Sequence, residues 1–362
     1  MKVLQVNNMG FSFGVDQPAR DHFRGLLEAR PDVEVILLRN APLPSMPEIE
    51  VVALPEAVRA LPWFFRSLWR IGQAVRAVRR RKIDFVQGIH LWPAGMVAWA
   101  AATLTGRPSG VSIVAGSREI HYLGRFMRPV ALFALRRCEV VAVTGSKTKE
   151  HLAGYGVDAS TIRVIPNATD IDRFHPMEGV EKPYHVVSTN RLFPVKNLEV
   201  MLRALARVRE EIPDLRAALG GGGPEEAKLR RLADELDLTG AVDFLGWLDD
   251  VPRTVNQGRI FALTSRSEGF PISVLEAMAC GLPCVVSNVG DMADVAVDGK
   301  NAFVIDDCDD VEAFAEAMLR LLKDDDLRRR MGREALAVRE THSYSAVAAA
   351  WREIFDRLFP VA

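Results

Sequence analysis

At 362 residues, with 49% hydrophobic and 26% charged side chains, the chain is long enough for two domains, each with an ordinary globular core. A formal net charge of −1 gives no global pull toward nucleic acid, so no nucleic-acid partner is expected. Four cysteines (Cys138, Cys280, Cys284, Cys308) form no Cys-x-x-Cys pair, which fits reduced thiols of a cytoplasmic protein rather than a disulfide framework.

The first residues, Met1 to Asn7, read as a strand rather than a signal peptide, and no apolar run reaches the length of a membrane span. Short β-branched or apolar runs follow at Val3–Val6, Val33–Leu38, Ile83–Gln87, Val111–Val114 and Val140–Val143, with helical periodicity between them. A second series covers Tyr184–Ser188, Leu215–Leu219, Val242–Leu245, Ile260–Leu263, Cys284–Ser287 and Ala302–Ile305. Strands that alternate with helices form parallel sheets covered on both faces. The expectation is therefore an α/β chain of two Rossmann-like, doubly wound parallel-sheet domains. Ligands of such sheets bind beyond the carboxyl ends of the strands, so the two domains are expected to face a cleft.

Composition suggests boundaries at 1–175 for the first domain, 176–183 for a Pro-, Gly- and charge-rich linker, and 184–343 for the second. The remaining 344–362 places Val347, Trp351, Ile354, Phe355 and Leu358 at helical spacing. Packing of this helix back onto the first domain is expected, although the spacing itself names no partner surface.

Candidate site residues lie on the loops. Gly10 and Gly14 follow the first strand but lack the Gly-x-Gly-x-x-Gly spacing of a dinucleotide fingerprint. The stretch 61–82 mixes Trp63, Phe64, Phe65 and Trp69 with arginines. It reads either as a helix lying on an anionic membrane surface or as a helix packed on the first sheet with a solvated basic face; Val75 and Val78 favour the second. His90 follows a strand where it opens toward ligand, and a lone histidine there is either structural or a sugar or phosphate contact. The histidines as a set have no metal-ligand spacing, so no metal is expected.

Three loops of the second domain carry most of the chemistry. Asn190 to Asn197 offers Arg191 and Lys196, two cations able to reach one diphosphate. Gly220 to Gly223 precedes a helix expected to begin at Pro224, and four glycines suit close backbone approach. Phe261 to Cys284 reads as strand, loop and helix, with Pro271 as a first helical residue. Glu268 and Glu276 frame that helix start, which favours a phosphate; carboxylates of this kind accept hydrogen bonds from sugar hydroxyls. Each loop alone is weak evidence, but all three emerge at the carboxyl edge of one sheet.

With these segments in this order, the chain resembles the retaining glycosyltransferase family 4 of the GT-B fold. The resemblance rests on Asn190-Arg191 with Lys196, Gly220 to Pro224, Phe244-Leu245-Gly246-Trp247, the Glu268-to-Glu276 Glu-x7-Glu element and Ile165-Pro166-Asn167-Ala168-Thr169-Asp170. It implies a hexosyl transferase that uses a UDP- or GDP-sugar and a hydroxyl acceptor, in polysaccharide, glycolipid or glycoconjugate synthesis. Arg191 and Lys196 would hold the diphosphate, Glu276 the ribose, and Glu268 with the Gly269-Phe270-Pro271 backbone the transferred sugar. Gly14 and Gly222 would lie near the donor. The resemblance also implies the metal independence typical of the GT-B fold, so no metal or other cofactor is expected.

Many relatives carry a His-Gly pair after the strand at Val111, where this chain has Ala115-Gly116-Ser117-Arg118-Glu119. His90, Ser117 or Arg118 is left to serve the acceptor side. A nucleotide-sugar hydrolase or epimerase of the same fold and a non-catalytic sugar-nucleotide-binding subunit are the alternatives. The expected location is the cytoplasm, at the inner face of the membrane if 61–82 binds lipid.

Overall fold

The computed structural model describes residues 1–7, 34–39, 50–53 and 55–360. The chain divides into two compact units, Met1–Ala168 with Tyr344–Ala362, and Thr169–Ser343.

The first unit is built on a seven-stranded parallel sheet: β1 (Lys2–Asn7), β2 (Glu34–Arg39), β3 (Glu50–Ala53), β4 (Phe85–Ile89), β5 (Ser109–Ile113), β6 (Val140–Val143) and β7 (Ile162–Val164), in the spatial order β3-β2-β1-β4-β5-β6-β7. Consecutive residues of a strand point to opposite faces, and the register sets Val3 beside Phe85 and Leu4 beside Val86. Leu4, Val6 and Val86 therefore pack on helices Trp63–Arg81 and Met96–Thr105, through Ala74, Val78, Val97, Ala98 and Ala101. On the same face, Val111, Ile113, Val141 and Val143 meet Ala131, Leu132 and Leu135 of helix Met127–Leu135.

The opposite face, with Val3, Phe85, Val140 and Ala142, is covered by the last helix, Tyr344–Leu358. Trp351 is fully buried there and stacks on Phe355, which in turn meets Phe85 edge-on at 6.0 Å. Each such side chain contributes about 1.5–3 kcal/mol on burial, enough to tie the end of the sequence to the unit that contains its beginning.

The second unit is a six-stranded parallel sheet: β8 (Tyr184–Thr189), β9 (Ala217–Gly220), β10 (Val242–Gly246), β11 (Gly258–Leu263), β12 (Cys284–Ser287) and β13 (Ala302–Ile305), in the order β10-β9-β8-β11-β12-β13. The chain moves outward from β8 to β10, then returns to the other side of β8. The reversal point lies between β8 and β11, where ligands of open α/β sheets bind.

Four sequence expectations need correction. Strands β3 and β7, of four and three residues, are additional to the expected series, because so short a run carries almost no periodic signal. The stretch 176–183 is not a free linker. Phe174 is buried in the core of the second unit, the Met177 N–H donates to Asn256 Oδ1, and Lys182 Nζ donates to the Gly258 carbonyl. The second unit therefore opens at Thr169, whose N–H donates to the His342 carbonyl. Helix Glu226–Glu235 starts two residues after Pro224. Pro271 is the N-cap of helix Ile272–Ala279, with an extended ψ of 107°, rather than its first helical residue.

Candidate functional site

At the reversal point of the second sheet, the loops after β8 and β11 are laced together. Arg266 N–H donates to the Val195 carbonyl at 2.9 Å, and Thr264 Oγ1 donates to the Asn197 carbonyl at 3.0 Å. Lys196 Nζ reaches Glu268 Oε1 at 2.6 Å, with both side chains largely withdrawn from solvent. The pair is thus neither of the solvated groups that two isolated charges would ordinarily be. Asn197 explains why Lys196 is held here. Its backbone is left-handed (φ 52°), which asparagine tolerates better than most residues, and its side-chain amide donates to the Cys308 carbonyl and Asp309 Oδ1. Nothing in the sequence pattern singled out Asn197.

Arg191 lies on the same loop, exposed, with its guanidinium 5.3 Å from the Phe193 ring centre. The glycine run after β9 packs directly under this loop. Gly221 has φ +123°, and a Cβ there would lie 1.9 Å from the Asn190 carbonyl oxygen; one at Gly223 would lie 2.3 Å from that of Leu192. Leu192 N–H donates to the Gly222 carbonyl at 3.0 Å. The close approach inferred from the glycines is therefore an approach to the Arg191 loop, which they seat. A Cβ on Gly222 would meet the indole of Trp247, an exposed side chain.

Glu268-Gly269-Phe270-Pro271 is pinned from below. Asp291 N–H donates to the Gly269 carbonyl, and Gly290, at φ +59°, leaves room where a Cβ would strike the Glu268 and Gly269 carbonyls. Phe270 is buried and stacks on His342 at 5.6 Å. Burial pushes His342 down to about 4, against a smaller upward pull from Asp294, so the ring is neutral at pH 7. Nothing in the local sequence marks His342 as a support for this loop. Glu276, half-buried, projects from the second turn of the helix that begins at Ile272. Nearby, Thr189 Oγ1, Asn190 Oδ1 and Ser265 Oγ are buried without a protein partner, so this edge keeps hydrogen-bonding capacity to spare.

In the first unit, His90 follows β4 in a left-handed conformation (φ 67°) that is uncommon for a non-glycine residue. Its Nδ1 lies 2.9 Å from Glu119 Oε1. The same carboxylate accepts N–H bonds from Leu91, Val114 and Ala115, so Glu119 fixes the ends of β4 and β5 as well as the imidazole. No local feature of the sequence marks Glu119 for this role. Ser117 opens the short helix Arg118–His121, and Arg118 lies 5.9 Å from the Tyr122 ring centre with its Nε buried and without an acceptor. Gly14 lies outside the described residues.

Comparison with known proteins gives the same picture from a separate direction. The family model described as Glycosyltransferase Family 4 matches residues 14–173, and Glycosyl transferases group 1 matches residues 170–338. The GDP-mannose-dependent alpha-(1-6)-phosphatidylinositol monomannoside mannosyltransferase of Mycolicibacterium smegmatis is 31% identical over 241 residues, 60% of this chain and 63% of that one. Its Mycobacterium tuberculosis counterpart is 30% identical over 279 residues, 70% of this chain and 72% of that one. Alignment therefore spans less than two thirds of the M. smegmatis enzyme. The UDP-Gal:alpha-D-GlcNAc-diphosphoundecaprenol alpha-1,3-galactosyltransferase of Escherichia coli is 25% identical over 345 residues, 90% of this chain and 88% of that one. Anabaena HepE, solved in complex with UDP, has the same fold, with a TM-score of 0.84 at 20% identity over 99% of this chain and all of the other. With both halves matched in order on a GT-B fold, the chain belongs to glycosyltransferase family 4.

Proposed function

We propose that the protein transfers a hexosyl unit from a UDP- or GDP-sugar to a hydroxyl acceptor, with retention at the anomeric carbon. The observation that carries this reading is the Lys196–Glu268 pair at the reversal point of the second sheet, beside Arg191 and the start of the Ile272 helix. In the transfer, the bond from the anomeric carbon to the diphosphate breaks and a bond to the acceptor oxygen forms. Negative charge grows on the departing diphosphate, where Arg191, Lys196 and the helix start stabilise it. The acceptor proton passes to that phosphate oxygen, so no protein base is required. Glu276 is assigned to the ribose hydroxyls, and Glu268 with the Gly269-Phe270-Pro271 backbone to the sugar.

On the acceptor side, His90, oriented by Glu119, is the leading candidate, with Ser117 and Arg118 beside it in sequence. The relatives named above act on a phosphatidylinositol mannoside and a diphosphoundecaprenol-linked sugar. Their names support a glycolipid or other glycoconjugate acceptor; the inner face of the membrane, as the place of transfer, is our own proposal. One Asp-x-Asp element, Asp307-Cys308-Asp309, does follow β13, but Asp309 Oδ1 already accepts from Arg266 and from the Asn197 amide, so transfer is proposed to persist in a chelator.

A thermal-shift screen across UDP- and GDP-sugars tests the donor, because a ligand of the native state raises Tm. One nucleotide class should raise it in the wild type and far less in Lys196→Ala. Absence of any shift, or unchanged turnover in that variant, overturns the assignment.

A further inference from the structure

Of the twelve exposed large hydrophobic residues among those described, nine lie between Leu61 and Phe133 in the first unit. Single exposed apolar side chains need no explanation, but a concentration of them does. Apart from Leu104, near the end of helix Met96–Thr105, they fall on two segments that the sequence keeps some fifty residues apart. Phe64, Phe65 and Leu68 lie at the start of helix Trp63–Arg81; Tyr122, Phe126, Val130 and Phe133 lie on the approach to helix Met127–Leu135 and along it. Tyr122 and Phe126 are each 78% exposed.

The fold brings the two together. Both helices pack on the same sheet face, on either side of Met96–Thr105, and Trp99 on that middle helix meets Phe133 at 6.0 Å. Helices in a parallel α/β sheet run opposite to the strands, so both apolar starts lie at the carboxyl edge, where His90 and Glu119 also lie. Arginines surround them: Arg125 lies 5.3 Å from the Phe126 ring centre, and Arg137 lies 3.5 Å from that of Phe133. Along the first helix, the exposed line through Phe65, Leu68 and Gly72 continues into Arg76, Arg79 and Arg80. From Trp63 to Lys82 there are six arginines, one lysine and no acid. The acid of the second segment, Glu119, is already taken by His90 and three backbone N–H groups.

We infer that the first unit docks on a lipid bilayer through this two-segment surface, its aromatic residues entering the headgroup region and its arginines meeting anionic lipid. Aromatic and aliphatic side chains interleaved with arginines suit that interface, and a second copy of so basic a face would be repelled by like charge. The segment 118–137 is the part that sequence pattern did not suggest. Docking does not rest on the glycosyl-transfer reading.

The test is co-flotation of the full chain with vesicles of phosphatidylcholine mixed with phosphatidylglycerol, and with phosphatidylcholine alone. Binding should be confined to the anionic vesicles and weaken with salt. Phe65→Ser with Leu68→Ser, or Phe126→Ser with Val130→Ser, should each lower binding roughly tenfold, and the four together should abolish it. All variants should keep the wild-type circular dichroism and the nucleotide-sugar thermal shift, which separates loss of docking from failure of the donor site. No binding to anionic vesicles, equal binding by the four-residue variant, or a dimer in gel filtration that this variant dissolves would each overturn the inference.

Discussion

Lys196 Nζ and Glu268 Oε1 lie 2.6 Å apart, although 72 positions separate the two residues in the chain. The pair ties the loop after β8 to the loop after β11. Lys196→Ala removes the cation proposed to meet the diphosphate, and loss of one such stabilising group lowers kcat by about 10²–10³-fold. The change also strands the largely buried Glu268 carboxylate, so Tm should fall by several degrees. Lys196→Ala combined with Glu268→Gln should recover much of the lost Tm while remaining inactive. Recovery of turnover in the double variant would show that the lysine serves structure alone.

Glu119 and His90 should separate in the opposite way. Glu119 accepts three backbone N–H bonds in addition to its contact with His90. A Glu119→Gln amide must turn its NH2 against at least one of these donors, at a cost of about 1–3 kcal/mol. His90→Ala leaves the backbone bonds in place. It should unfold near the wild-type temperature while losing roughly tenfold or more in kcat/KM. Urea denaturation and steady-state kinetics on the two variants check the division; an His90→Ala enzyme with full activity would remove His90 from the acceptor side.

Gly221 and Gly222 are adjacent but should respond differently to alanine. At Gly221 the backbone has φ +123° and the new Cβ would overlap the Asn190 carbonyl oxygen, so left-handed strain and overpacking together cost about 2–4 kcal/mol. At Gly222 the obstructing atoms belong to the exposed Trp247 indole, which can move aside. Urea unfolding should show a large loss for Gly221→Ala and a small one for Gly222→Ala.

His342 makes the second unit sensitive to acid. Its pKa falls from the usual 6.5 to about 4 in the folded chain because the ring is buried, so below pH 6.5 the unfolded state binds the proton more readily. Stability therefore drops as pH falls from 6.5 toward 4, by roughly 3 kcal/mol at most. The loss is centred on the residue that supports Phe270. His342→Phe keeps an aromatic ring against Phe270 but cannot be protonated, so its unfolding free energy should change less over this interval. An equal slope in both proteins would assign the pH dependence to other groups.

Thiol reactivity offers a further check. Burial raises Cys138 and Cys280 to about 12 and pushes Cys284 still higher, while Cys308 is raised less and is partly exposed. The thiolate is the reactive form, so a thiol reagent should label Cys308 first and the other three only on unfolding.

The sequence by itself determined the fold class and most of the strands, because a strand buried on both faces must be an unbroken apolar run and a covering helix must repeat at its own period. It also placed Arg191, Lys196, the glycine run and Glu268 on loops at one sheet edge, with Glu276 in the helix that follows, since loop position follows directly from strand order. Partnership was decided only in three dimensions. Nothing local in Glu119, Asn197 or His342 distinguishes them from other polar residues; each acquires its role from a neighbour supplied by a distant segment or by the turn it caps. The glycines show the same limit: their spacing announced a close approach, but only the packed loops identify the Asn190–Leu192 backbone as what approaches. Likewise the basic aromatic helix at Trp63 was visible in the sequence, whereas its companion surface at Phe126 exists only because the parallel sheet lays both helix starts along one edge. Periodicity is a local property of the chain, while burial and hydrogen-bond pairing depend on which strands become neighbours.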